Sequence, residues 1–482
     1  LPHVPPRLCS KLARGCLPAT PPAAVQDMLE PRVASALLAA FLLAIGALLQ
    51  GCGGGSHPSP SPAPTNTSTV TTSTTTTTST TTSSTDASPS PVPGWECPPD
   101  VKATLKTIAE RYVGEYNVAS MAGYVGPAGG NGAVCAGGHV AYPQSEGHAD
   151  NISSESTSSG RHGKFVYGSF TKVWTSSAVL KLHEEGKIDI DKPAWPFIEK
   201  VYKHATNSSL TSVFKTELVK QITPRQLMAM RSGVDDYDAK GEVYSWQEKN
   251  PDDDLSPSRT VKGWGHMYNG VKPGTCGVYS SMGFVLLGML LMGQSGVLEW
   301  DQYDQNVWRH HFPDIEFATR GHCSKYTDVA GKCKICKPHG VLDVSCTNGF
   351  TCGNMVAYPR DAARFLWMLL NGKLLKRETV QEMLKFQPLG QKGATRGTVC
   401  SSFGMNYGLG MQAPADGAST GGEPPEMFPG HAGLTWGYST INTYDVKRKA
   451  VYAAGIATSD VTAQAVWFDL HNNIKPDGQI VV

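Results

Sequence analysis

The sequence predicts an α+β fold in which strands from the two ends of one domain share an antiparallel sheet and helices fill the chain between them. Three observations predict it. Two short β-patterned stretches, "ASMAGYVGP" and "GAVCAGGHVAY", stand on either side of a Gly-rich turn near the start of the foldable sequence. An alternating stretch that turns like a β-hairpin, "HAGLTWGYSTINTYDVKRKAVYAAGIATS", stands near its end. Between them, apolar residues recur mostly at helical spacing.

Taken in order, "DVKATLKTIAERYVGEY" has the helical period and precedes the two strands. Residues 143–163 are polar and Gly/Ser-rich, the composition of a loop. A strand end at Phe165 to Tyr167 leads into "GSFTKVWTSSAVLKLHEEG", a helix stopped at Gly186. Helices are expected around Pro196 to Ala205 and Pro224 to Arg231, and a polar, irregular stretch from Asp235 to Trp264. "SSMGFVLLGMLLMGQSG" reads as a buried helix, and "PRDAARFLWMLLNG" as another with a Pro start and a Gly stop.

The chain ahead of this domain has a different character. Residues 1–52 contain "VASALLAAFLLAIGALL" (33–49), an uncharged apolar run preceded by Arg7, Lys11, Arg14 and Arg32. Such a run is the apolar core of a signal peptide or a single-span signal anchor, and predicts a secreted or cell-surface protein, with a membrane tether in the anchored case. Residues 53–96 are Thr-, Ser- and Pro-rich and cannot bury enough apolar surface to offset chain entropy, so they read as a disordered stalk. The foldable domain is 97–482. Asn66, Asn151 and Asn207 stand in N-x-S/T sequons, in keeping with export.

Among 482 residues, a formal charge of +1 and the lack of a basic run with interleaved aromatics argue against a nucleic-acid partner. Nine cysteines lie from Cys97 onward, five of them between Cys323 and Cys352. Density of that kind reads as disulfides in an oxidising compartment. A zinc site made of Cys333, Cys336, Cys346 and Cys352, with His322 or His339 nearby, is the rival; its first pair has C-x2-C spacing, but its second is separated by five residues.

Ser169 and Lys172 form an S-x-x-K pair. A serine at a helix start is commonly a cap, and Ser212 with Lys215 in "SVFK" is a second match in the same chain, so the pattern alone decides nothing. The spacing does place both side chains on one face of a helix, where a lysine amine of lowered pKa can take the proton of a serine hydroxyl. The helix N-terminus adds free amides and a positive dipole end where an oxyanion would develop.

"GSFTKVWTSSAVLKLHEEGKIDIDKP", "ITPRQLMAMRSGVDDYD", "KPGTCGVYSSMGFVLLGMLL", "GNMVAYPRDAARFLWMLLNGKLLKRETVQEML", "YGLGMQ" and "FPGHAGLTWGYST" follow one another in this chain. In that order and spacing, over residues 100 to 470, the sequence resembles the serine β-lactamase-related proteins, which include class C β-lactamases, D-alanyl-D-alanine carboxypeptidases and related esterases. The resemblance implies a β-lactamase/DD-peptidase-like fold, a central antiparallel sheet flanked by helices plus a mostly helical subdomain, with the site between them. It implies Ser169 as the acylated nucleophile, Lys172 as its general base, Tyr279 of "YSS" as a proton relay, and His431 of "HAG" on the strand lining the site. The amides of Ser169 and Leu434 are the implied oxyanion hole, with Ser281 and Gly433 contacting substrate.

Two positions depart from the family pattern. Ser281 stands where an asparagine is usual, and His431 where a lysine pairs with a substrate carboxylate. Both changes lean away from efficient β-lactam hydrolysis and towards ester or small-amide hydrolysis, so the expected partner is a small-molecule ester, amide or peptide substrate with an esterase-like preference, and no cofactor or metal is required. The Cys-rich insertion, about 312–353, is expected as a disulfide-braced flap over the site. Rival readings are a binding or scaffold protein that keeps the fold without catalysis, a true β-lactamase or carboxypeptidase, and the zinc protein.

Overall fold

The computed structural model describes residues 99–116, 120–126, 134–139, 163–239, 242–321, 349–390, 399–400, 405–414, 428–435, 437–457 and 462–474. The apolar run 33–49, the stalk and the segment 322–348, which holds most of the expected flap, lie outside the described residues. No helix among the described residues is long and apolar enough to cross a membrane.

The helices are α1 (Pro99–Tyr116), α2 (Thr171–Glu184), α3 (Trp195–Thr206), α4 (Leu210–Phe214), α5 (Pro224–Met228), α6 (Glu242–Lys249), α7 (Pro257–Trp264), α8 (Ser281–Ser295), α9 (Phe350–Gly353), α10 (Pro359–Leu370), α11 (Arg377–Met383) and α12 (Ala463–Asn473). The strands are β1 (Ser120–Val125), β2 (Val134–His139), β3 (Phe165–Val166), β4 (Glu316–Phe317), β5 (Met355–Ala357), β6 (Gln387–Pro388), β7 (Met405–Tyr407), β8 (Gln412–Pro414), β9 (Gly430–Thr435), β10 (Tyr438–Asp445) and β11 (Ala450–Ile456). Eight of them form one antiparallel sheet in the order β2-β1-β11-β10-β9-β8-β7-β6. β1 pairs with β11 from Ser120 opposite Ile456 to Val125 opposite Val451, so the two ends of the domain do share a sheet.

Strand periodicity explains the layers. Along β11, Ala450, Tyr452, Ala454 and Ile456 pack with Val101, Leu105 and Ile108 of α1 and Val466, Trp467 and Leu470 of α12. Val451 and Ala453 point the other way, into the main core with Phe365, Leu366 and Leu369 of α10. Successive residues thus serve opposite faces, as a pleated strand buried on both sides requires. The C-terminal end is a three-stranded meander rather than a single hairpin, because the alternating stretch is long enough to turn twice.

The helical part packs around α8, which is buried from Ser281 to Gly293 and apolar on every side. Glycines allow its neighbours in: a Cβ on Gly293 would lie 2.3 Å from the carbonyl oxygen of Phe197, and one on Gly288 2.3 Å from the hydroxyl of Thr351. That hydroxyl donates to the carbonyl of Phe284 at 2.7 Å, while Thr175 of α2 donates to the carbonyl of Thr351 at 2.6 Å. The short helix α9 is therefore clamped between α2 and α8.

The stretch from Asp235 to Trp264, expected to be irregular, contains α6 and α7. Ser256 caps α7 through the amide of Arg259 at 3.2 Å, with Pro257 at its first position. Few of their positions are apolar, and helices of eight residues depend on packing rather than on their own periodicity. A disulfide joins Cys276 to Cys400. Cys352, placed by sequence in the disulfide or zinc cluster, is instead a free, buried thiol that donates to the carbonyl of Gly349 at 2.7 Å. The remaining cysteines of that cluster, with His322 and His339, lie outside the described residues.

Candidate active site

Ser169 sits in a tight 3-10 turn, Gly168–Phe170, between β3 and α2. Its side chain caps nothing. Gly168 adopts a positive φ of 51°, and a Cβ there would fall 2.8 Å from the nitrogen of Leu434. Strand β9 comes closer still at Gly433, where a Cβ would stand 1.9 Å from the carbonyl oxygen of Tyr167. Only glycine permits either approach, and together they bring the backbone of Leu434 against the turn that carries Ser169.

Lys172, one helical turn on, is fully buried. Its Nζ donates to Ser169 Oγ at 2.8 Å and to the carbonyl of Cys352 at 3.1 Å, so α9 aims the amine from below. The ring of Tyr279 lies 5.0 Å from the same nitrogen. Tyr279 is hydrogen-bonded to Ser169, yet burial outweighs that bond and raises its phenol well above the usual range. It is thus a protonated donor under ordinary conditions and not a phenolate base.

His431 lies beside this group, its ring centroid 6.2 Å from that of Tyr279, and it is 1% exposed. Nδ1 meets the carbonyl of Ala432, which can only accept, and Nε2 meets the hydroxyl of Tyr407 at 2.9 Å. The ring therefore carries its hydrogen on Nδ1 and accepts from Tyr407 at Nε2. Burial, and then the nearby Lys172, push its pKa down to about 3. A neutral imidazole of this kind cannot stand in for a lysine that pairs with a carboxylate.

The depressed value has a measurable consequence. Above pH 6.5 both folded and unfolded histidines are neutral and the contribution to stability is complete. As pH falls from 6.5 towards 3, the unfolded chain takes up a proton that the folded one refuses, and stability is lost, by on the order of a few kcal/mol when fully developed. Melting temperature in His431→Gln should therefore fall less steeply than in the wild type between pH 6.5 and pH 4. Parallel profiles would mean that the folded imidazole titrates normally.

Ser281 opens α8 and is 1% exposed. Its amide donates to Asp236 Oδ1 at 2.9 Å, while its hydroxyl is buried and makes no hydrogen bond. It does not line the cavity above Ser169. That cavity, about 20 Å³, is bounded by Ser169, Tyr237, Asp238, Tyr244, Cys352 and Gly353, with Leu434 and Thr435 of β9. The structure thus brings Ser169, Lys172, Tyr279, His431, Gly433 and Leu434 together, while the Ser281 hydroxyl is hydrogen-bonded to none of them. Ser212, the decoy, is exposed on α4, bonded only to the carbonyl of Ser209 at 2.6 Å.

Sequence reasoning missed Asp236, Tyr237, Asp238, Tyr244 and Tyr407. Burial raises the Asp236 carboxyl well above its usual range, with the adjacent Asp238, to which it is hydrogen-bonded, adding to the effect. Burial likewise lifts the Cys352 thiol to about 11, which keeps it protonated. The one sequence signal for this wall was the acidic and aromatic run "DDYD" ahead of the Tyr279 motif.

The sequence model of the Beta-lactamase family matches residues 106–466. No curated protein matches the chain in sequence. Among solved structures, a D-stereospecific amidohydrolase from Streptomyces sp. is similar at 19% identity and a TM-score of 0.55, over 76% of this chain and 97% of that one. D-amino acid amidase from Ochrobactrum anthropi SV3 is similar at 18% identity and a TM-score of 0.54, over 77% and 97%. A penicillin binding protein from Bacillus halodurans follows at 17% identity and a TM-score of 0.53, over 76% and 97%. At these identities the likeness concerns the fold, a mixed helix and sheet architecture with antiparallel sheets.

Proposed function

The chain belongs to the Beta-lactamase family, and from that premise we propose that it is a serine hydrolase that acylates Ser169 and releases the acyl group to water, with small esters and amides as substrates. The observation that carries this reading is the 2.8 Å contact between Lys172 Nζ and Ser169 Oγ, made by a fully buried lysine whose other bond is to a main-chain carbonyl.

The chemistry follows from the placement of these groups. Lys172 takes the hydroxyl proton as Ser169 Oγ attacks the substrate carbonyl carbon. The amides of Ser169 and Leu434 receive the negative charge that develops on the carbonyl oxygen. Tyr279, held protonated by burial, passes a proton to the departing nitrogen or oxygen, and Lys172 restores it. Water then enters and attacks the acyl carbon, giving a proton to the same pair, which returns it to Ser169 Oγ as the acyl–oxygen bond breaks. The neutral His431 and the buried hydroxyl of Ser281 favour esters and simple amides over β-lactams that carry a carboxylate. The two amidases among the similar structures support including amides.

The same proposal places the enzyme outside the cytosol. Its supports are the apolar run 33–49 and the Cys276–Cys400 disulfide, a bond that persists in oxidising compartments.

Incubation with a chromogenic acetate ester and a chromogenic cephalosporin, followed by mass spectrometry of the quenched protein, tests the proposal. Faster turnover of the ester is expected, with an acetyl group on the peptide that contains Ser169. An adduct on Ser212, or turnover with no adduct, would remove Ser169 from the mechanism. Neither turnover nor adduct from folded protein would favour the binding or scaffold reading.

A further inference from the structure

The acidic turn beside Ser169 takes no part in acyl transfer, and its chemistry indicates what a substrate carries. Asp238 lines the same small cavity as Ser169, with Tyr237 and Tyr244. Asp236, only 3% exposed, accepts from the amide of Ser281 at 2.9 Å and shares a hydrogen bond with Asp238. Burial, with Asp238 close by, holds the Asp236 carboxyl well above its usual range and so favours its protonated form. Asp238, the half-buried member of the pair, is the one that reaches the cavity.

No lysine or arginine is among the residues that line this cavity. Lys172 is turned to Ser169 and to the carbonyl of Cys352, and His431 is neutral. A substrate carboxylate here would meet a like charge and no cation to pair with. An ammonium would meet a carboxylate and two electron-rich rings.

We infer that Asp238, with the rings of Tyr237 and Tyr244, holds a primary ammonium of the substrate beside Ser169, so that the favoured substrates are amides or esters of amino acids with a free α-amine. This names the substrate class for the serine hydrolase proposed above and rests on that reading for its chemistry. Recognition of the amine, however, is a binding event and can be measured without turnover.

The test uses the full chain carrying Ser169→Ala, titrated calorimetrically with alaninamide and with N-acetylalaninamide, each as both enantiomers. The free amine should bind about tenfold to a hundredfold more tightly, the range for a hydrogen bond to a charged group. Adding Asp238→Asn should close most of that gap, and Asp238→Glu, which keeps the charge, should retain part of it. In the otherwise wild-type enzyme, kcat/KM for alanine p-nitroanilide over its N-acetyl form should show the same preference and the same dependence on Asp238. Equal binding of the two amides, binding of neither, or a preference undiminished in Asp238→Asn would overturn the inference. An amine preference in binding without any turnover would keep the inference and remove the hydrolase. Turnover abolished by Ser169→Ala with no amine preference would do the reverse.

Discussion

Replacing Ser169 with alanine is expected to lower kcat for the acetate ester by about 10⁴-fold or more, with little change in melting temperature. The residue is half-buried in a turn whose backbone is held by neighbours, so alanine removes the proposed nucleophile and leaves the frame. Lys172→Met should lose about 10²- to 10⁴-fold, because methionine fills the buried stem and supplies no base. The double variant should be no worse than Ser169→Ala alone, since residues that act as one unit do not add. Steady-state rates on the three proteins, with circular dichroism to confirm folding, check this. Losses that multiply would show Lys172 acting apart from Ser169.

Gly433→Ala should cost both activity and stability although it adds one methyl group. That carbon would lie 1.9 Å from the carbonyl oxygen of Tyr167 and 2.7 Å from Thr440 Oγ1. Thr440 itself donates to that carbonyl at 3.0 Å, so neither neighbour can move without breaking a buried bond. Strand β9 must back away, carrying the Leu434 amide from Ser169. Loss of one oxyanion donor costs about 10²- to 10³-fold in kcat, and overpacking of this kind about 1–3 kcal/mol. Kinetics and thermal melts of the variant would test it. A normal rate in a destabilised protein would remove Leu434 from the oxyanion hole.

What could be read from sequence was what is local or ordered along the chain. The approach of Lys172 to Ser169 is a property of i,i+3 spacing, and it is present at 2.8 Å. Tyr279 and His431 were legible only as members of ordered motifs, since neither residue announces a site by itself. Strand patterning at both ends of the domain pointed to one shared sheet, but the pairing of β1 with β11 within it was visible only in the structure. Asp238 and Tyr244 were hidden because their place beside Ser169 comes from tertiary folding of a polar stretch with no period to detect. Cys352 was assigned to a cysteine cluster by proximity in sequence, whereas burial against Tyr237 and Gly349 sets it apart.

The pairing of β1 with β11 also governs when the site around Ser169 can be completed. The two strands come from opposite ends of the domain, and β11 must be in place between β1 and β10 before the sheet closes. Such long-range pairing folds slowly, because loop closure has to be overcome before native contacts repay it. During synthesis, Ser169, Lys172 and Tyr279 therefore emerge well before Leu434 and the strands that hold it, and a nascent chain carries the proposed nucleophile without the proposed oxyanion hole. On the proposed mechanism, catalytic competence arrives only with the last strands of the sheet.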